Sequence, residues 1–233
     1  MKAHAAIEAI AFDLDGTLID SAAGVALALN TALTTAGLPG FELATVRSWI
    51  GDGPDSLILR ALEASRLRDT DLPSLASMLR KVFDTTTLQD PGAQGAAYAG
   101  IADLLGDLSD TRPLVVVTNK PSPLARAVLE AAGLLNHFAA VHGADTPVQR
   151  KPSPLLIQQA AAGLGVTTDA LLMVGDGPAD LQAAHAAGCR AAWVSWGYGP
   201  APARADVWRL DAPRELIARL QSPEPATGRT PIH

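Results

Sequence analysis

The strongest constraint on this chain is a repeated alternation of short, largely apolar runs with helix-like segments that sets in near Gly100. The runs Leu114–Thr118, 139–143, Leu171–Gly175 and Arg190–Val194 have the length of strands, and helical stretches near 123–132, 154–163 and 180–187 separate them. Strand and helix in turn predict a parallel sheet covered by helices and joined by right-handed crossovers. An earlier run, 7–14, reads as a further buried strand, with Asp13 near its end and Gly16 where a turn is needed. Asp13, Thr118 and Asp176 then all fall at carboxyl ends of strands, the edge at which open α/β sheets bind ligands.

Residues 21 to 88 follow another pattern. A helix starts near Ser21, a residue type suited to an N-cap, runs to Ala36 and stops at Gly37 and Pro39. Segments 44–50, 55–65 and 72–83 lack β-branched alternation, so the block reads as all-helical. Its position between the first strand and the rest predicts an insertion that rises over the ligand-binding edge as a lid. The expected division is an α/β core of residues 1–20 and 89–221, a small helical cap of 21–88, and a flexible tail, 222–233, rich in Pro, Ser, Thr and Gly.

With 233 residues, 48% hydrophobic and 18% charged, the chain can bury a full core. A net charge of −6 argues against a nucleic-acid footprint, which needs a basic face. No stretch approaches the roughly 20 apolar residues of a membrane span, and Glu8 interrupts the first apolar run, so neither a membrane nor a secretory segment is expected. Cys189 is the single cysteine, which excludes an intrachain disulfide and a cysteine zinc site and fits a reducing cytoplasm. In Ala-Gly-Cys-Arg it reads as a small buried residue ahead of a strand. His137, His142 and His185 lack metal-ligand spacing.

The run Phe12-Asp13-Leu14-Asp15-Gly16-Thr17 puts two carboxylates two residues apart at a strand end. Such a pair can divide labour: ionised Asp13 attacks phosphorus without a base, while Asp15 protonates a departing alkoxide and later deprotonates water. Taken alone the run also suits a charged turn or a calcium-binding pair. Thr118 and Asn119 emerge from an apolar strand with hydroxyl and amide donors for a phosphoryl oxygen, or as a plain polar turn. Lys151 precedes a Pro-started helix, where ammonium and helix N-terminus both favour an anion. Asp176, after Leu171–Gly175, suits direct Mg²⁺ binding, and Asp180 suits a helix cap or a hold on a metal-bound water.

In this order the four motifs resemble the haloacid dehalogenase superfamily, whose phosphatases carry an Asp-x-Asp-Gly-Thr loop, a Thr or Ser, a Lys, and a Gly-Asp-x-x-x-Asp loop. The resemblance runs from about residue 9 to 200. It implies a Rossmannoid three-layer core with Asp13 as nucleophile and Asp15 as general acid and base. It also implies Thr118, Asn119 and Lys151 as phosphate ligands, and Asp13, the Asp15 backbone carbonyl and Asp176 as Mg²⁺ ligands, with Asp180 behind them. The inserted helices resemble that superfamily's small cap, where Gly51, Asp52 and Gly53 are the candidates for substrate selection.

Within the superfamily the chain is most similar to the bacterial phosphoglycolate phosphatases, through Leu18-Ile19-Asp20-Ser21, Trp49-Ile50-Gly51-Asp52-Gly53, Val117-Thr118-Asn119-Lys120-Pro121 and Ala186-Ala187-Gly188-Cys189. It departs from them at Gly177-Pro178-Ala179 and Tyr98-Ala99-Gly100. That likeness implies a small phosphate ester as substrate, 2-phosphoglycolate first, with sugar or amino-sugar phosphates, a phosphosugar mutase and a catalytically silent binding protein as the alternatives. Arg47 and Arg60 are the cap residues whose charge suits a second anion on the substrate, or else surface positions.

Overall fold

The computed structural model describes residues 6–67, 71–204 and 206–222. Within them run β1 (Ala9–Phe12), β2 (Ile19–Asp20), β3 (Ala96–Ala97), β4 (Leu114–Thr118), β5 (Ala140–Gly143), β6 (Leu171–Gly175), β7 (Arg190–Val194) and β8 (Trp208–Leu210). The helices are α1 (Ala22–Thr35), α2 (Leu43–Arg47), α3 (Pro54–Ala64), α4 (Leu72–Gln89), α5 (Ile101–Ser109), α6 (Ser122–Ala131), α7 (Leu155–Leu164), α8 (Pro178–Ala187) and α9 (Glu215–Gln221). Six strands form one sheet in the order β5-β4-β1-β6-β7-β8, and every pairing in it is parallel. The expected α/β class is therefore the observed one. β8 and α9 lie beyond the last strand read from the sequence.

Side-chain alternation along the pleat sets the layers. Ile10 and Phe12 join Leu114, Val116, Leu172 and Val174 on one face, beneath α5, α6 and α9. Ala9 and Ala11 join Val115, Val117, Leu171 and Met173 on the other, beneath α7 and α8. Cys189 is buried on that second face, and its burial pushes the thiol up to about 12, which suits packing rather than reactivity.

A two-stranded antiparallel pairing, Ile19 with Ala97 and Asp20 with Ala96, marks where the chain leaves the sheet and returns. Two-residue strands carry too little pattern to be read from sequence. Helices α1 to α4 lie between them, packed about Leu29, Leu33, Ile58, Leu79 and Phe83. α4 runs to Gln89, past the expected end at residue 83, through three consecutive threonines that disfavour helix. Packing overrides propensity there, since Phe83 and Thr87 are buried. Ser21 stands at the N-cap of α1, but its side chain makes no capping bond. Gly24 lets α1 press on the turn Pro91–Gln94, where an added Cβ would lie 2.3 Å from the Cα of Gln94. Among the described residues no helix is long and apolar enough to cross a membrane. Residues 223–233 of the expected tail lie outside the described residues.

Candidate active site

Asp13 follows β1, whose neighbours β4 and β6 lead to opposite halves of the sheet. The strand order thus reverses at β1, and a crevice opens beyond its carboxyl end. Asp13 is buried there, with the Lys151 ammonium 2.8 Å from its Oδ1. That ammonium also donates to the Val117 carbonyl at 2.8 Å and to Asp180 Oδ1 at 2.5 Å, so its three donors are engaged. The other oxygen of Asp180 accepts from the Gly177 N–H at 3.0 Å, at the start of α8. Asp180 therefore caps that helix and holds Lys151 toward Asp13.

Asp176 enters from the end of β6. Its Oδ2 accepts the Tyr198 N–H at 2.6 Å and the Gly199 N–H at 3.2 Å, while the Thr17 hydroxyl lies 3.4 Å from Oδ1. Gly16 brings the turn after β1 against it: the residue has φ +84°, and a Cβ would lie 2.6 Å from Asp176 Oδ2. Only glycine meets both conditions.

These carboxylates crowd one another. Burial, and then the charge of Asp180, push Asp13 up to about 6 against the opposing pull of Lys151. Burial and the charge of Asp13 push Asp176 up to about 6, against the N–H bonds from Tyr198 and Gly199. Burial also raises Asp180, with Lys151 opposing. For Lys151 burial disfavours the charge, but Asp13 and Asp180 outweigh it and hold the ammonium above the usual lysine range. One oxygen from each of Asp13, Asp176 and Asp180 lies within 4.8 Å of the others. Three buried carboxylates against one ammonium leave a negative excess, and an all-oxygen donor set of this kind suits a hard divalent cation such as Mg²⁺. Asp180 is held by Lys151 and the Gly177 N–H, and Asp176 by Tyr198, Gly199 and the Thr17 hydroxyl, so Asp13, held by Lys151 alone, is the freest side-chain donor.

Asp15 stands apart from that cluster. Both its oxygens are held by the Lys120 ammonium, at 2.8 and 3.0 Å, and Lys120 is itself buried. The Asp15 carbonyl accepts no hydrogen bond within the described residues. Thr118 Oγ1 accepts the Lys120 N–H at 3.2 Å, which leaves its hydroxyl proton free to donate. The Asn119 side-chain amide donates to the Gly51 carbonyl at 2.9 Å and the Lys151 carbonyl at 3.2 Å, and accepts the Lys151 N–H at 2.7 Å. A phosphate role for Asn119 thus falls on its backbone N–H. That group, like the N–H groups of Leu14 and Asp15, makes no hydrogen bond within the described residues.

The helical insertion closes over these groups. A chamber of about 390 Å³ has Asp13, Asp15 and Asp176 on one side and Ile50, Gly51 and Asp52 on the other. A small recess of about 30 Å³ shares Asp13, Asp15, Ile50 and Gly51 with it and is also lined by Thr118, Asn119, Lys120, Gly53 and Phe83. The contact recorded for Gly51 is through its carbonyl rather than its N–H, and Asp52 is paired with Arg60. Asp55 of α3 pairs with Arg80 and, across the seam, with Arg150.

Sequence reasoning assigns no role to Lys120, Tyr198 or Arg150. Trp193 donates to the Asp176 carbonyl at 2.8 Å and Trp196 to the Thr17 carbonyl at 3.1 Å. The available signal was Gly197-Tyr198-Gly199 close behind an apolar strand, at the edge already holding Asp13 and Asp176.

A model of the family described as haloacid dehalogenase-like hydrolase matches residues 10–194. The chain belongs to this family. The matched span of this haloacid dehalogenase-like hydrolase runs from β1 to β7 and takes in α1 to α4. Similar proteins include a phosphoglycolate phosphatase of Pectobacterium atrosepticum, 34% identical over 98% of this chain and 95% of that one. Another, from Salmonella typhi, is 38% identical over 95% of this chain and 93% of that one. Among solved structures, a predicted phosphoglycolate phosphatase from Haemophilus somnus superposes with a TM-score of 0.84 at 28% identity, covering 92% of this chain and 98% of that chain.

Proposed function

We propose that the chain is a Mg²⁺-dependent phosphomonoesterase that converts 2-phosphoglycolate to glycolate and phosphate in the cytoplasm. The observation that carries this reading is the contrast between two neighbouring carboxylates. Asp13 is buried at the crevice against Lys151, whereas Asp15 is held outside the carboxylate cluster by Lys120. The names of the curated relatives support the substrate, and a single buried thiol suits a reducing compartment.

In this reading an Asp13 oxygen attacks phosphorus in line, the ester P–O bond breaks, and Asp15 as the acid delivers its proton to the departing glycolate oxygen. Water then attacks phosphorus, Asp15 as carboxylate takes the water's proton, and the Asp13–phosphorus bond breaks to release phosphate. The Thr118 hydroxyl and the N–H groups of Leu14, Asp15 and Asn119 donate to phosphoryl oxygens, and Lys151 offsets their charge. Asp13, Asp176 and the Asp15 carbonyl would hold Mg²⁺, which supplies charge neutralisation and polarisation of the phosphoryl group. Asp180 orients Lys151. Residues 21–88 act as the cap that excludes bulk water and selects the ester.

The test is phosphate release by the purified protein from 2-phosphoglycolate, sugar phosphates and nucleotides, with Mg²⁺ and with chelator. Highest kcat/KM for 2-phosphoglycolate, lost with chelator, is the expected result. A sugar phosphate turned over more efficiently would reassign the substrate, and no release from any ester would remove the enzymatic reading.

A further inference from the structure

Two arginines line the chamber over Asp13, and among the described residues they are the only lysines or arginines that do. Arg60 is committed: its guanidinium donates to the Trp49 carbonyl at 2.8 Å and is paired with Asp52. Arg47, at the end of α2, makes no ion pair within the described residues. Its guanidinium carbon instead lies 4.9 Å from the ring centroid of Tyr198.

Tyr198 is a fixed platform. Its N–H is bonded to Asp176, its hydroxyl donates to Asp20 Oδ1 at 2.8 Å, and the same hydroxyl accepts the Ala22 N–H at 3.0 Å. The ring is thus tied at one end to the carboxylate cluster and at the other to the start of α1. A guanidinium over an aromatic face gives up no N–H to it, so the donors of Arg47 remain available to a ligand.

The opposite wall carries Asp13, Asp15, Asp176 and Asp180, which repel any second anion on the substrate. With Arg60 paired to Asp52, Arg47 is the chamber cation able to receive one. A guanidinium offers donors only, in a flat fork that fits a carboxylate with two parallel bonds and fits a hydroxyl poorly.

We infer that Arg47 is the specificity residue for a carboxylate on the substrate, held in position by Tyr198. The inference rests on the phosphatase reading and narrows its substrates to short phosphate esters bearing a carboxylate.

The experiment uses para-nitrophenyl phosphate hydrolysis as reporter and compares inhibition by phosphonoacetate, which carries a carboxylate, with inhibition by ethylphosphonate, which does not. Wild type should bind phosphonoacetate more tightly, and Arg47→Leu should reduce that preference about tenfold or more, the scale of a charge-assisted bond. Arg47→Lys should retain part of it. Arg47 is exposed, so these variants are not expected to disturb folding. Thermal stabilisation by the same two compounds reads the preference without turnover. No preference in wild type, a preference that survives Arg47→Leu, or equal weakening of both inhibitors would overturn the inference. If wild type leaves 2-phosphoglycolate intact yet shows an Arg47-dependent preference for phosphonoacetate, the substrate assignment fails and the carboxylate subsite stands.

Discussion

Loading the carboxylate cluster with Mg²⁺ should stabilise the fold in a way that depends on pH, and the size follows from the crowding around Asp13. Asp13 and Asp176 are pushed from 3.8 up to about 6, so ionising either one without a metal costs at most about 3 kcal/mol. Each group raises the other, so the two costs do not simply add. Below about pH 4 both carboxyls are protonated, folded or unfolded. As pH rises toward about 6 the unfolded chain ionises while the folded chain keeps its protons, and this contribution to stability is progressively lost. Mg²⁺ binds the ionised form, so its stabilisation should grow across the same window. At a hundred times its Kd the ion contributes about 2.7 kcal/mol. For a chain of this length that raises Tm by about 5–10 °C. The assay is thermal unfolding at about pH 4.5 and about pH 7.5, in chelator and in saturating Mg²⁺, with Asp176→Asn in parallel. Wild type should gain several degrees from Mg²⁺ at the higher pH and little at the lower. Asp176→Asn in chelator should be more stable than wild type at the higher pH and should lose most of the Mg²⁺ response. Equal Mg²⁺ shifts at both pH values, or none at either, would refute the reasoning.

Asp13→Asn should abolish turnover while its circular dichroism and unfolding midpoint stay at or above those of wild type; turnover within tenfold of wild type would remove Asp13 as nucleophile. Asp15→Asn should slow esters with poor leaving groups by about 10²–10⁴ and aryl phosphates less, because phenolate leaves with little protonation; steady-state rates across leaving-group pKa check this, and a uniform loss would argue for a structural role. Gly24→Ala should lower the urea midpoint: the added methyl meets the backbone of Gln94, overpacking costs about 1–3 kcal/mol, and the helix-propensity gain of about 1 kcal/mol offsets only part of it. A midpoint at or above wild type would mean that the Pro91–Gln94 turn gives way freely.

The sheet was legible because its strands are short apolar runs bounded by turns and buried on both faces. Leu114–Thr118, Leu171–Gly175 and Arg190–Val194 have the limits read from sequence. The pairing of β2 with β3 was hidden because its four residues owe it to partners far away in the chain, Ile19 with Ala97 and Asp20 with Ala96, and local pattern carries no such signal. α4 outran its expected end because burial of Phe83 and Thr87 outweighs the poor propensity of threonine. Asp13, Lys151, Asp176 and Asp180, singled out by type and spacing, lie together at the crevice, with Asp15 held beside them by Lys120. Lys120 carries no local signal, because only the tertiary fold brings it to Asp15 across 105 residues of chain. The partners of the Asn119 side-chain amide, Gly51 and Lys151, could not be read from sequence, since folding alone brings those backbone groups to it.

Arg150 and Lys151 are consecutive, yet they face different parts of the molecule. One is paired with Asp55 on α3, and the other lies against Asp13. Asn119 grips the same segment through both backbone groups of Lys151 while holding Gly51 of the insertion. Lifting the helices from the sheet must therefore break the Asp55 and Gly51 attachments together, and both pull on the stretch of backbone that carries the ammonium beside the nucleophile. A single peptide step therefore joins the ion pair on α3 to the ammonium beside the nucleophile.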